Sequence, residues 1–72
     1  MKEYNDAELN ELINAGKEAT RELSYLKFKS EMPRIKQLRQ YRRGRFELIR
    51  KRAIQLNLTQ DDLNDIFIYV QM

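Results

Sequence analysis

The sequence predicts an all-α fold: an antiparallel helical hairpin of two long helices with a short third helix at the C-terminal end, all in one small domain spanning residues 1–72. Three observations carry that expectation. Apolar residues recur at three-and-four spacing in three successive segments, the signature of amphipathic helices. No stretch alternates apolar and polar residues long enough to make a useful strand. The breaks between the segments fall at Pro33 and at Asn57-Leu58-Thr59, where the chain carries the chemistry that stops and starts helices.

The first helix starts at Asn5 or Asp6, either of which can cap it, and Asn5-x-x-Glu8 resembles a capping box. Leu9, Leu12, Ile13, Gly16, Ala19, Leu23 and Leu26 then form one apolar stripe. Gly16 lies on that stripe, and a mid-helix glycine costs about 1 kcal/mol against alanine. Its presence predicts that the helix loosens there or that another helix approaches closely. The stripe can also be read as a coiled-coil seam; packing against the second helix of the same chain is the simpler reading. Pro33 disfavours helical geometry at Met32 and ends the pattern.

The second helix is predicted from about residue 33 to about residue 56. Ser30 is a candidate cap, and Pro33 is tolerated in the first turn. Ile35, Leu38, Phe46, Ile49, Ala53 and Leu56 share a stripe, interrupted where Arg42 and Arg45 stand. With Arg39, Arg43 and Arg50 pointing elsewhere, the central turns are expected to be basic nearly all round, and Gly44 weakens them further. A helix polar on every side makes a poor core element. A local rule broken without structural gain tends to mark function.

The third helix has the clearest start. Thr59 caps it, Asp62 stands at the third helical position, and Leu58 and Leu63 form a hydrophobic staple. Asp61 and Asp62 favour the positive end of the helix dipole. Leu63, Ile66, Phe67 and Val70 give an apolar face, and Ile68 and Tyr69 make the other face partly apolar, a possible surface for a protein partner. Asn57-Leu58-Thr59 also matches a glycosylation acceptor, but the helix boundary is the better account of it.

Composition narrows the function. A chain of 72 residues buries only about 60% of its unfolded surface, and its core supplies roughly 3–5 kcal/mol. With no cysteine and no histidine, it lacks a thiolate nucleophile, a serine–histidine pair and the usual metal ligands. The expectation is a non-enzymatic protein with no cofactor, no metal and no small-molecule substrate. Glu18/Glu22 and Asp61/Asp62/Asp65 serve helix solubility and capping rather than acid–base chemistry. No apolar run is long enough for a membrane span, and Met1-Lys2-Glu3-Tyr4-Asn5-Asp6 lacks a signal-peptide core, so a cytoplasmic protein that binds no membrane is expected.

The net charge of +3 hides a sharp layout. Residues 1–26 carry three basic against six acidic residues (−3), residues 27–52 eleven against two (+9), and residues 53–72 none against three (−3). Such asymmetry speaks of partners rather than of fold. The central block holds Lys27, Lys29, Arg34, Lys36, Arg39, Arg42, Arg43, Arg45, Arg50, Lys51 and Arg52. Arginine grips phosphate bidentately and stacks on bases, and the interleaved Tyr25, Phe28, Tyr41 and Phe46 can stack on single-stranded bases if exposed. The predicted contact residues for nucleic acid or another partner are Arg34, Lys36, Arg39, Arg42, Arg43, Arg45, Arg50 and Arg52. The competing reading is a basic helix paired with the acidic first and third helices.

Glu22-Leu23-Ser24-Tyr25-Leu26-Lys27-Phe28-Lys29 resembles the Glu-Leu-x-x-Leu-Arg-Phe segment of bacterial large-subunit ribosomal protein 29. Pro33-Arg34-Ile35-Lys36-Gln37-Leu38-Arg39 is similar to the start of that family's second helix, and Arg50-Lys51-Arg52 to its basic end. The resemblance covers residues 7–56 and implies a helical hairpin that binds ribosomal RNA (rRNA) beside the polypeptide exit tunnel. Arg42-Arg43-Gly44-Arg45 stands where the family has Ile-Ala-Arg, and residues 59–72 have no counterpart in it. Ile49 through Leu63 is also similar to the end of the oligomerisation region of histone-like nucleoid-structuring proteins. The charge layout further suits a small phage- or plasmid-type regulator that docks on host RNA polymerase and modulates transcription. The expected partner is therefore RNA, DNA or a nucleoprotein machine such as the ribosome or RNA polymerase.

Overall fold

The side chain of Asp6 starts the first helix by accepting a hydrogen bond from the backbone N–H of Leu9 at 2.8 Å. Asp6 therefore does what was expected of it or of Asn5. The Asn5/Glu8 capping box does not form: Glu8 reaches Arg52 instead, at 3.3 Å. The computed structural model describes residues 4–26 and 29–72. Readings that rest on Met1-Lys2-Glu3, on Lys27 and Phe28, or on the Lys29 side chain lie outside the described residues.

The chain is all-helical: α1 (Ala7–Tyr25), a short 3₁₀ turn (Lys29–Glu31), α2 (Met32–Gln55) and α3 (Gln60–Gln71). The particles they form measure 42 × 20 × 19 Å along the principal axes. That is little longer than α2 itself, whose 24 residues span about 36 Å at roughly 1.5 Å each. No described helix is long and apolar enough to cross a membrane.

Before α2, Glu31 occupies the capping position and makes no side-chain cap hydrogen bond, while Pro33 sits in the first turn. Ser30 is not the cap, because it lies inside the 3₁₀ turn. Proline has no N–H to satisfy, which lowers the demand for a cap. The helix runs unbroken through Gly44.

At the other end of α2, the N–H of Asn57 bonds to the Ile54 carbonyl at 3.1 Å and that of Leu58 to the Ala53 carbonyl at 3.0 Å. Asn57 has φ 58°, the left-handed geometry that asparagine accepts better than most residues. The pair of bonds is a Schellman stop. Thr59 then opens α3 with a complete capping box: its hydroxyl accepts from Asp62 N–H at 3.1 Å, and Asp62 carboxylate accepts from Thr59 N–H at 3.3 Å.

Both α2 and α3 pack chiefly against α1. Leu9, Ile49, Ile66 and Val70 are fully buried at the centre, with Ile13, Ala53 and Leu63 beside them. Phe46 and Phe67 close the side of this core edge to face, 5.2 Å between ring centres. Gly16 is buried because α3 lies on it. A Cβ there would come 2.8 Å from Val70 Cγ1, so close approach rather than loosening explains the glycine. One α1 cation also secures α3: Lys17 donates to the Tyr69 carbonyl at 2.9 Å and stands 4.6 Å from the Tyr69 ring centre. The last turn of α3 has no basic residue of its own, so Lys17 supplies the positive charge that a helix C-terminus favours.

Candidate nucleic-acid interface

The eight basic residues expected to form one surface separate into two groups. Three are taken up along α1. Arg34 chelates the Glu22 carboxylate with bonds of 3.1 and 3.0 Å. Arg52 clamps Asp6 at 2.6 and 3.1 Å, reaches Glu8 at 3.3 Å, and donates to Gln55 at 2.9 Å. Arg42 turns inward, donating to Thr20 Oγ1 at 3.1 Å with its guanidinium 6.0 Å from the Phe46 ring centre. The Arg52 contact lowers the Asp6 carboxyl below its ordinary 3.8, with the Leu9 N–H adding to the effect, and Asp6 in turn raises Arg52. A fourth, Arg45, lies 4.7 Å from the Tyr41 ring centre.

The remaining four, Lys36, Arg39, Arg43 and Arg50, are exposed and have no hydrogen-bond or ion-pair partner among the described residues. Lys51 shares both properties. Lys36, Arg43 and Arg50 are spaced by seven, so at 3.6 residues per turn they stand almost in line, with Arg39 one turn from Lys36 and Arg43. The row spans about 21 Å along α2. The same geometry puts Arg34, Arg45 and Arg52 roughly half a turn away, on the opposite side of the helix. The centre of α2 is thus not basic all round. One side is a row of unpaired cations with Glu47 among them, the other a set of cations held against carboxylates and a tyrosine, and Arg42 lies between.

The aromatic residues also separate. Phe46 is half-buried against the core and Phe67 rather than presented to solvent. Tyr25 and Tyr41 are exposed, 73% and 45%, but they lie on the side of the engaged arginines, in a groove that includes Glu18 and Glu22. Sequence reasoning missed that groove and the exposed Leu48 beside it. The available signal was the seven-residue step from Tyr41 to Leu48. Among the described residues there is no group of three or more acidic side chains placed to hold a metal ion. Glu18 pairs with Arg21 at 3.7 Å, and Asp62 is used in the cap. Comparison of the chain with family models, with curated proteins and with solved structures finds no match.

Proposed function

We propose that this chain is a small non-enzymatic binding protein that lays Lys36, Arg39, Arg43 and Arg50 of α2 along the phosphates of a nucleic acid, free or within a nucleoprotein machine. In this reading α1 and α2 form an antiparallel hairpin that presents the row, and α3 is a buttress at one end. The observation that carries the proposal is that these four cations share one exposed side of a continuous helix and make no ion pair or hydrogen bond with the described chain, although Glu47 stands on the same side between Arg43 and Arg50. Cations that stabilise the fold would be expected to sit as Arg34 and Arg52 do, against carboxylates. The resemblance to ribosomal protein 29 makes rRNA the favoured nucleic acid.

The test is a salt titration of binding to a short RNA. Four phosphate contacts give a slope of log affinity against log salt of about −3 to −4. Each of Lys36→Ala, Arg39→Ala, Arg43→Ala and Arg50→Ala shallows that slope by nearly one contact, whereas Arg34→Ala leaves it unchanged. A slope near zero would refute phosphate contact. The second reading, a regulator that docks on a protein such as RNA polymerase, draws on Ile68 of α3 and on Met72 just after it, which are exposed apolar residues. It predicts that Ile68→Ser abolishes recovery of a single partner from nuclease-treated lysate.

A further inference from the structure

The side of the α1/α2 pair that α3 leaves open is a continuous trough. Its floor is Leu12, Ala15, Ala19 and Leu38, with Ala15 common to its two halves, and no α3 residue lines either half. Tyr25, Tyr41 and Leu48 stand exposed along it. Its walls carry opposite charge at matched heights. On α1 stand Glu8, Glu11 and Glu22, with Glu18 paired to Arg21 on the same wall at 3.7 Å; across from them on α2 stand Arg45 and Arg34, with Arg52 just beyond the end of the trough. The outer two rungs are ion pairs, Glu8–Arg52 at 3.3 Å and Glu22–Arg34 at 3.0 Å. The middle rung is open: Glu11 and Arg45 line the same stretch of trough, yet neither has an ion-pair partner among the described residues.

We infer that this trough is the interface for a second copy of the chain, related by a two-fold axis running along it. The argument is symmetry applied to the charge pattern. An axis parallel to the helices exchanges left and right but keeps height. It sets the acidic wall of each copy over the basic wall of the other, with Glu11 of one facing Arg45 of its partner and the reverse. An in-plane axis across the helices would set acid over acid and base over base, which like-charge repulsion opposes. The contact is isologous, so every pairing occurs twice. Tyr25, Tyr41 and Leu48 become the apolar part of the seam, and tyrosine is enriched in such places. The free cationic row of α2 points away from this face, so the inference does not depend on the phosphate reading.

A charge-swap experiment tests it. Sedimentation equilibrium of the wild-type chain from about 10 μM to about 1 mM should give a monomer–dimer equilibrium. Glu11→Arg sets two arginines against each other across the dyad, and Arg45→Glu sets two glutamates, so each variant alone should weaken dimerisation at least about tenfold. An equimolar mixture of the two variants should dimerise again, because both rungs between unlike chains then pair opposite charges. Pairing within a chain cannot produce that restoration. Circular dichroism confirms folding of each, and Glu11→Gln with Arg45→Gln supplies a gentler pair should either swap unfold. The inference is overturned if the wild-type chain stays monomeric throughout, if the single variants dimerise as wild type does, or if the mixture associates no better than its components.

Discussion

The same substitution, glycine to alanine, should have opposite effects at the two glycines of this chain. Both lie inside helices, and alanine gains about 1 kcal/mol over glycine there. At Gly44 nothing lies within 4 Å of the added Cβ, so Gly44→Ala collects that gain. At Gly16 the added carbon meets Val70 Cγ1 at 2.8 Å, while carbon atoms prefer about 3.5–4.0 Å. Val70 is fully buried, and a valine in a helix holds essentially one χ1 rotamer. Relief therefore requires α3 to move off α1 by about half an ångström or more. Overpacking of this kind costs roughly 1–3 kcal/mol. Gly16→Ala should come out neutral to about 2 kcal/mol destabilising, and the two variants should differ by roughly 1–3 kcal/mol, in which the helix-propensity gain cancels. In a domain this small each kcal/mol moves Tm by about 4–8 °C, so thermal unfolding by circular dichroism resolves the difference. Val70→Ala in the Gly16→Ala background should recover part of the loss, giving a favourable coupling in the double-mutant cycle. Equal stabilisation by both single substitutions would refute the close approach of α3 at Gly16.

Two further outcomes follow from the core and the Asp6 clamp. Ile49 is fully buried, and truncation of such a residue costs about 2–5 kcal/mol, comparable with the whole stability of roughly 3–5 kcal/mol; Ile49→Ala should therefore be substantially unfolded in urea titrations at concentrations where Arg43→Ala is still native. The Asp6 carboxyl is depressed below its ordinary 3.8 by Arg52 and by the Leu9 N–H, so its contribution is complete above pH 4 or so and is lost as pH falls through the depressed value; Asp6→Asn, which can still cap the helix, should flatten the fall in stability on the acid side of 3.8, and an unchanged acid limb would count against the clamp.

Where local chemistry decided the structure, the sequence was readable. Thr59 with Asp62, the boundary at Asn57 and Pro33 in a first turn each act within a few residues, and α2 and α3 start or stop where those residues stand; α1 instead stops at Tyr25, well before Pro33, and Met32 is helical despite the proline that follows it. Ser30 failed as a cap because a 3₁₀ turn intervened, and a proline in the first turn reduces the demand for one. Gly16 posed a question that the sequence could frame but not answer, since the answer depends on Val70, 54 residues away. The basic segment was legible as charge and illegible as surface. Helical spacing set Arg42 on the apolar stripe and Arg43 off it, and Arg43 does face water, but it could not show that Arg42 would meet Thr20. Which side of α2 is engaged depends on where α1 packs, since its cap Asp6 and its residues Glu8 and Glu22 meet Arg52 and Arg34.

The separation of the two arginine groups also sets how a phosphate chain could approach. A helix with its side chains is about 10 Å across, and the Debye length at physiological salt is about 8 Å. Glu8, Glu11 and Glu22 lie on the far side of α2 from Lys36, Arg39, Arg43 and Arg50, so at that salt their charge is largely screened from the row. Lowering the salt to about 0.01 M extends the Debye length to about 30 Å, and the carboxylates are then felt through the helix. A phosphate ligand at physiological salt should respond to the row and to Glu47 within it rather than to the carboxylates of the trough. Removing an acidic charge from the trough, as in Glu11→Gln, should thus raise RNA affinity at low salt and leave it almost unchanged near 0.15 M, a dependence opposite to that of Arg43→Ala, which weakens binding at both.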